Sequence, residues 1–251
     1  MTNTYKLELL AQPALRIGIG FGGGPHTVAQ IMEGAALAER SGFHSAWMTN
    51  DIGGRTPYVV LASIATLTNR MILGVAVSNP VTRHPVELAQ TVATLDEACN
   101  GRVILGIGTG ISWRSLVSDR WVKPISMMRE AMETIRQLWA EPETSFRGIP
   151  VSIRESDWIW PNGPPASIRK DIPIYLGARS PQMTRLAGRR SDGLLLEIGR
   201  HVSDLESQIK MFRRASAKAG KKTKTLEVGA LISTCVGYTE DEVNVFRRVV
   251  A

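Results

Sequence analysis

Three short stretches of this sequence hold residue types that could do chemistry. Gly18-Ile19-Gly20-Phe21-Gly22-Gly23 fits G-x-G-x-x-G ahead of a helical run. That spacing lets backbone approach a pyrophosphate, and Asp51 closes the next β-like run, where a ribose-binding acid would stand. Against this, Gly18 and Gly20 fall inside an apolar run, where small residues simply let a strand pack closely. Gly106-Ile107-Gly108-Thr109-Gly110 has the wrong spacing for either common phosphate loop and reads as a tight strand end. Ser180-Pro181 reads as a helix N-cap followed by proline in the first turn. The four histidines (His26, His44, His84, His201) show no ligand spacing, and Cys99 and Cys235 are far apart. Neither a metal site nor a disulfide scaffold is expected.

The elements that must position these stretches alternate between short apolar runs and amphipathic ones. Arg16 to Phe21, Ser45 to Thr49, Met71 to Ser78, Arg102 to Ile107, Ile172 to Ala178, Gly193 to Ile198 and Leu226 to Gly237 read as strands. Helical spacing recurs between them: Val28, Ile31, Met32, Ala35; Pro57 to Leu67; Leu88, Val92, Leu95, Cys99; Ile125, Met128, Met132, Ile135, Leu138; Pro181 to Arg190; Val202, Leu205, Ile209, Phe212. Alternation without hairpins predicts parallel strands joined by crossovers, and uniformly apolar runs predict strands covered on both sides. An open doubly wound sheet and a closed barrel both fit. Polar or small residues follow several strands: Asn50-Asp51, Ser78-Asn79, Thr109-Gly110 and Arg179-Ser180. Such dispersal favours the single rim of a barrel over a switch-point crevice.

The 251 residues suit one α/β domain. A Pro- and Trp-rich stretch at about 142–170 reads as an ordered insertion. The net charge of +7 is better suited to an anionic small molecule than to nucleic acid, because the basic run at Lys218, Lys221, Lys222 and Lys224 matches no nucleic-acid motif. No apolar run is long enough for a membrane helix and the N-terminus does not read as a secretory signal, so a cytoplasmic protein is expected.

Four stretches together resemble the luciferase-like superfamily. They are Trp47 to Tyr58 (W-M-T-N-D-I-G-G-R-T-P-Y), Gly74 to Pro85 (G-V-A-V-S-N-P-V-T-R-H-P), Asn100 to Gly110 (N-G-R-V-I-L-G-I-G-T-G) and Ile174 to Gly193. They are most similar to its deazaflavin-dependent branch, which includes methylenetetrahydromethanopterin reductase and glucose-6-phosphate dehydrogenases using coenzyme F420. The resemblance implies a TIM-type (β/α)8 barrel. It also implies a cis peptide at Ala76–Val77 that supports the tricyclic ring. Asn79 would hydrogen-bond the cofactor, and Thr109 and Gly110 would line the ring pocket. Arg179, Ser180, Gln182 and Met183 would hold the cofactor phosphate at a helix start, where the helix dipole favours anions.

The sequence departs from that branch in two places. Asn50-Asp51 stands where Asp-His is often found, and Ile111 stands where the sugar-phosphate enzymes place a carboxylate. Asp51 is the first candidate for acid–base work and His84 the second, while Trp113, Trp158 and Trp160 are candidates for a substrate pocket or a lid. The implied function is hydride transfer between coenzyme F420 and a small organic substrate, by a homodimer or other homo-oligomer. The competing expectations are an FMN-dependent monooxygenase of the same superfamily, a non-catalytic flavin-binding remnant and a Rossmann dehydrogenase. Seven strands are counted where a closed barrel has eight. A C-terminal strand and helix are therefore expected to be missing, leaving a seam between the first and last strands.

Overall fold

Strand and helix alternate along the whole described chain: β1 (Gly18–Phe21), α1 (Val28–Arg40), β2 (Ser45–Met48), α2 (Pro57–Ala65), β3 (Ile72–Ser78), α3 (Pro85–Ala98), β4 (Val103–Ile107), α4 (Pro124–Ala140), β5 (Ile174–Gly177), α5 (Pro181–Arg190), β6 (Gly193–Glu197), α6 (Val202–Lys218) and β7 (Glu227–Leu231). The computed structural model describes residues 16–22, 24, 26–51, 53–110, 123–140, 169–197, 202–222, 226–232 and 239–241. Almost all of the expected insertion, and Ile111, Trp113, Trp158, Trp160 and Cys235, lie outside them. The seven expected strands and the six helices between them are present, most trimmed by a residue or two; the last strand, expected over Leu226 to Gly237, is described as Glu227–Leu231, and residues 233–238 lie outside the described ones.

All seven strands are parallel and pair in chain order. A 3-2-1-4-5 order, which the dinucleotide reading of Gly18–Gly23 requires, is thereby overturned. Gly18 and Gly20 are packing glycines. A Cβ on Gly18 would lie 2.4 Å from Ser45 Oγ, and one on Gly20 would lie 3.2 Å from Leu231 Cδ1. The second contact crosses from β1 to β7. Among the described residues those strands pair only with β2 and β6, but Arg16, beside β1, also donates a charged hydrogen bond to Glu227 of β7. The sheet therefore curls until its edges meet through side chains, which makes a nearly closed TIM-type barrel.

Strand side chains alternate between two environments. Outward residues such as Ala46, Met48, Leu73, Val75, Leu105, Ile107, Ile174, Leu176 and Leu194 join Ile31, Leu61, Ile64, Leu88, Val92, Met128, Ile135 and Phe212 of the helices in one buried core, Cys99 among them. Inside the barrel a few large side chains face glycine. Trp47 lies against Gly74, and its ring is 6.3 Å from that of Tyr175 on the opposite wall. Tyr175 lies against Gly193, and Leu195 against Gly106 and Gly229. Large against absent is how a narrow interior is filled without voids.

The N-terminal ends of the strands are fixed by charge. Tyr175 Oη donates to Glu227 Oε2 at 2.5 Å, and burial and this acceptor push its hydroxyl far above its ordinary range. Asp96, buried on α3, takes Arg169 through both carboxylate oxygens at 2.8–2.9 Å and accepts from the Val103 N–H at 3.0 Å, so it ties α3, β4 and the approach to β5 together. Glu39 ends α1 with its carboxylate accepting from the N–H groups of Asn69, Arg70 and Met71, just ahead of β3. Burial alone would raise its carboxyl, but those three donors, with the Arg70 charge, hold it below the ordinary 4.5. A carboxyl lowered by folding stabilises above its unfolded pKa, and that contribution is lost as pH falls through the folded value. Glu39→Gln should therefore cost about 1–3 kcal/mol at neutral pH, the scale of hydrogen bonds to a charged group. Urea unfolding at stepped pH checks this: the gap to wild type should close below pH 4.5, and a gap independent of pH would contradict it.

Candidate functional site

The C-terminal ends of the strands form one rim, the end of a (β/α) barrel on which sites are built. Its distinctive feature lies in β3. The β3–β4 register is regular from Leu73↔Val103 to Val75↔Leu105, then shifts, resuming at Ser78↔Ile107. Ala76 and Val77 occupy the shift, and the peptide bond between them is cis, as the resemblance implies. A bulge of this kind re-aims a side chain where a strand meets a site.

Glycines on the neighbouring strands make the bulge possible. A Cβ on Gly106 would fall 1.9 Å from the Val75 carbonyl oxygen, one on Gly108 2.7 Å from Val77 Cγ2, and one on Gly177 3.0 Å from Val77 Cγ1. Val77 thus sits in a cradle made by β4 and β5. Beyond it, Gly110 has φ +64°, where glycine is favoured.

Asn79, 5% exposed, follows the bulge. Its Nδ2 donates to the Thr109 carbonyl at 2.6 Å and its Oδ1 accepts from the Val81 N–H at 2.8 Å. The structure thus brings Asn79 and Thr109 together. The amide tethers the β3 and β4 loops, and its oxygen is committed within the chain. Asp51 is exposed and accepts from Thr49 Oγ1 at 2.6 Å. With Gly22, Met48, Thr49, Gly54 and Arg55 it lines a shallow depression at the β1–β2 rim. Asn50 beside it is half-buried. His84 is an exposed N-cap: its Nδ1 accepts from the Val86 N–H at 3.3 Å at the start of α3.

At the end of β5, Ser180 caps α5, accepting from the Met183 N–H at 3.3 Å. Pro181 has no N–H, and that of Met183 serves the cap. Arg179, Ser180 and Gln182 are exposed at the start of α5.

Sequence reading missed a buried circuit behind the bulge. Tyr58 of α2, 6% exposed, shares a 2.6 Å hydrogen bond with Ser78 Oγ, which is fully buried. Burial is the main cause that pushes the Tyr58 hydroxyl up to about 12, so it stays protonated. The Arg83 guanidinium lies 5.3 Å from the Tyr58 ring centre and binds Thr56 Oγ1 at 2.5 Å and Glu87 at 3.1 Å. Tyr58 and Arg83 both lie within stretches quoted above, but nothing in their spacing says that the folded chain stacks them.

This chain belongs to the luciferase-like monooxygenase family, whose sequence pattern matches residues 11–246. It is 32% identical over 204 residues to the 5,10-methylenetetrahydromethanopterin reductase of Methanolobus tindarius, covering 81% of this chain and 60% of that protein. It is 29% identical over 232 residues to an F420-dependent glucose-6-phosphate dehydrogenase of Nakamurella multipartita, covering 87% and 67%. The solved coenzyme F420-dependent tetrahydromethanopterin reductase of Methanopyrus kandleri superposes with a TM-score of 0.77 at 25% identity, over 90% of this chain and 68% of that one. The chain spans about three fifths of the length of the first curated reductases it matches.

The cradle makes a graded prediction. Gly106→Ala meets backbone and should cost at or beyond the upper end of the ~1–3 kcal/mol typical of overpacking, whereas Gly108→Ala meets only a stiff side chain and should cost less. Val77→Ala should relieve Gly108→Ala and leave Gly106→Ala unrelieved. Urea unfolding of the two pairs checks this, and equal relief of both would contradict the cradle.

Proposed function

We propose that this chain is an oxidoreductase that moves hydride between coenzyme F420 and a small organic substrate. The observation that carries the reading is the rim bulge of β3 seated in the glycines of β4 and β5, in a family whose F420-dependent members are among the relatives it matches. The residues fit such a cofactor. Ala76 and Val77 offer a small apolar floor where a flat ring needs a close surface, and Asn79, Thr109 and Gly110 edge it. Arg179, Ser180 and Gln182 stand where a phosphate would meet a cation and the start of α5.

When bound, the deazaflavin supplies the hydride chemistry. The chain supplies position, a floor that excludes water and a place for the anion. Asp51 is the acid–base group nearest to hand in the rim depression. His84 is the weaker choice, since its Nδ1 serves a helix cap. The proposal includes self-association. Leu37 on α1 and Val59 on α2 are 57% and 63% exposed, and a second copy would cover such apolar surface. Sedimentation of the full chain should show a dimer or higher species; a single monomeric species would remove this part.

Titration with F420 and with FMN tests the reading. F420 should bind the tighter of the two and be reduced or oxidised in turnover with a suitable substrate. Arg179→Glu should weaken F420 by about 1–3 kcal/mol, the scale of a charge-assisted hydrogen bond. Preference for FMN would favour the monooxygenase reading, and F420 affinity indifferent to Arg179→Glu would put the phosphate elsewhere.

A further inference from the structure

Hydrogen bonds behind the β3 bulge form a chain that a cation–π contact closes on Tyr58. From α2, the Tyr58 hydroxyl reaches Ser78 Oγ at 2.6 Å. The Ser78 carbonyl accepts from the Gly108 N–H at 2.9 Å, which sets the end of β4. Asn79 then spans to the Thr109 carbonyl, and its own carbonyl accepts from the Thr82 and Arg83 N–H groups at 3.2 and 3.0 Å. That turn brings the Arg83 guanidinium back over the Tyr58 ring and onto Thr56 Oγ1. Asn79 directly follows the serine that Tyr58 holds, and Thr109 is one further hydrogen bond away. A phenylalanine would fill the same volume but could not hold Ser78.

We propose that Tyr58 is a positioning residue for the rim site: through Ser78 it fixes Asn79 and Thr109 where the cofactor ring would meet them. This rests on the cofactor reading above. A hydroxyl that only helps the fold behaves differently from one that positions a site. Removing one of two buried partners leaves the other unsatisfied, whereas removing both is nearly neutral for stability. Under a purely structural role, Tyr58→Phe/Ser78→Ala would recover both stability and binding. Under the positioning role it recovers stability alone.

The experiment compares wild type, Tyr58→Phe, Ser78→Ala and the double variant of the full chain. It uses urea unfolding, F420 titration and amide exchange in the cofactor-free protein. The double variant should unfold near the wild-type midpoint, bind F420 at least about fivefold more weakly, and exchange faster at Ser78–Arg83 than wild type while β4 and β5 stay protected. Wild-type affinity in the double variant, or unchanged exchange at Ser78–Arg83, would overturn the proposal. A wild-type chain that does not bind F420 at all would sink the cofactor reading instead. Exchange at Ser78–Arg83 would then decide the positioning claim by itself, faster exchange upholding the circuit and unchanged exchange overturning it.

Discussion

Val77 occupies space that two neighbouring strands leave empty, and most of the rim follows from that contact. Gly108 and Gly177 leave room for its two methyl groups, and Gly106 lets the Val75 carbonyl approach more closely than any side chain would allow. The β3 ladder can then shift register, Ser78 meets Tyr58, and Asn79 reaches the Thr109 carbonyl. A methyl group on Gly106 or Gly108 would collide with this arrangement and one on Gly177 would crowd it, so their absence of side chain is a positive structural feature. The same principle fills the barrel below, where Trp47 and Tyr175 face Gly74 and Gly193.

The two ends of the barrel divide their work. At the N-terminal end, Glu39, Asp96, Glu227 and Arg16 join strand starts by charged hydrogen bonds, and His44 beside them is held below its ordinary pKa, by burial first and by the Arg16 charge second. At the C-terminal end the bonds are mostly neutral and short in reach, and they leave open surface at Asp51, Gly110 and Arg179. Charged ties at one end and exposed polar groups at the other match the usual division of this fold.

How much of this the sequence disclosed depended on whether the signal was local. Strand and helix positions were legible because apolar periodicity is local. The dispersal of polar residues after successive strands selected the barrel, and the paired pattern around Gly74–Pro85 and Asn100–Gly110 pointed to the bulge. The Tyr58–Ser78–Arg83 circuit was not legible. Its members lie on different elements, and only the folded arrangement places the guanidinium over the ring. The glycines read as close packing and tight strand ends, but a sequence shows that a side chain is missing without showing whose side chain takes the space. Met183 illustrates the same limit: Ser180-Pro181 announced a cap, and the cap takes the N–H that an anion site would use.

On the proposed reading, the rim around the β3 bulge receives the cofactor. Amide exchange of the full chain with and without F420 tests it most directly. Bound F420 should bring new protection confined to Ser78–Thr82, Thr109–Gly110 and Arg179–Met183, with the N-terminal strand ends unchanged. Protection at the N-terminal end of the barrel alone, or none at saturating F420, would contradict it.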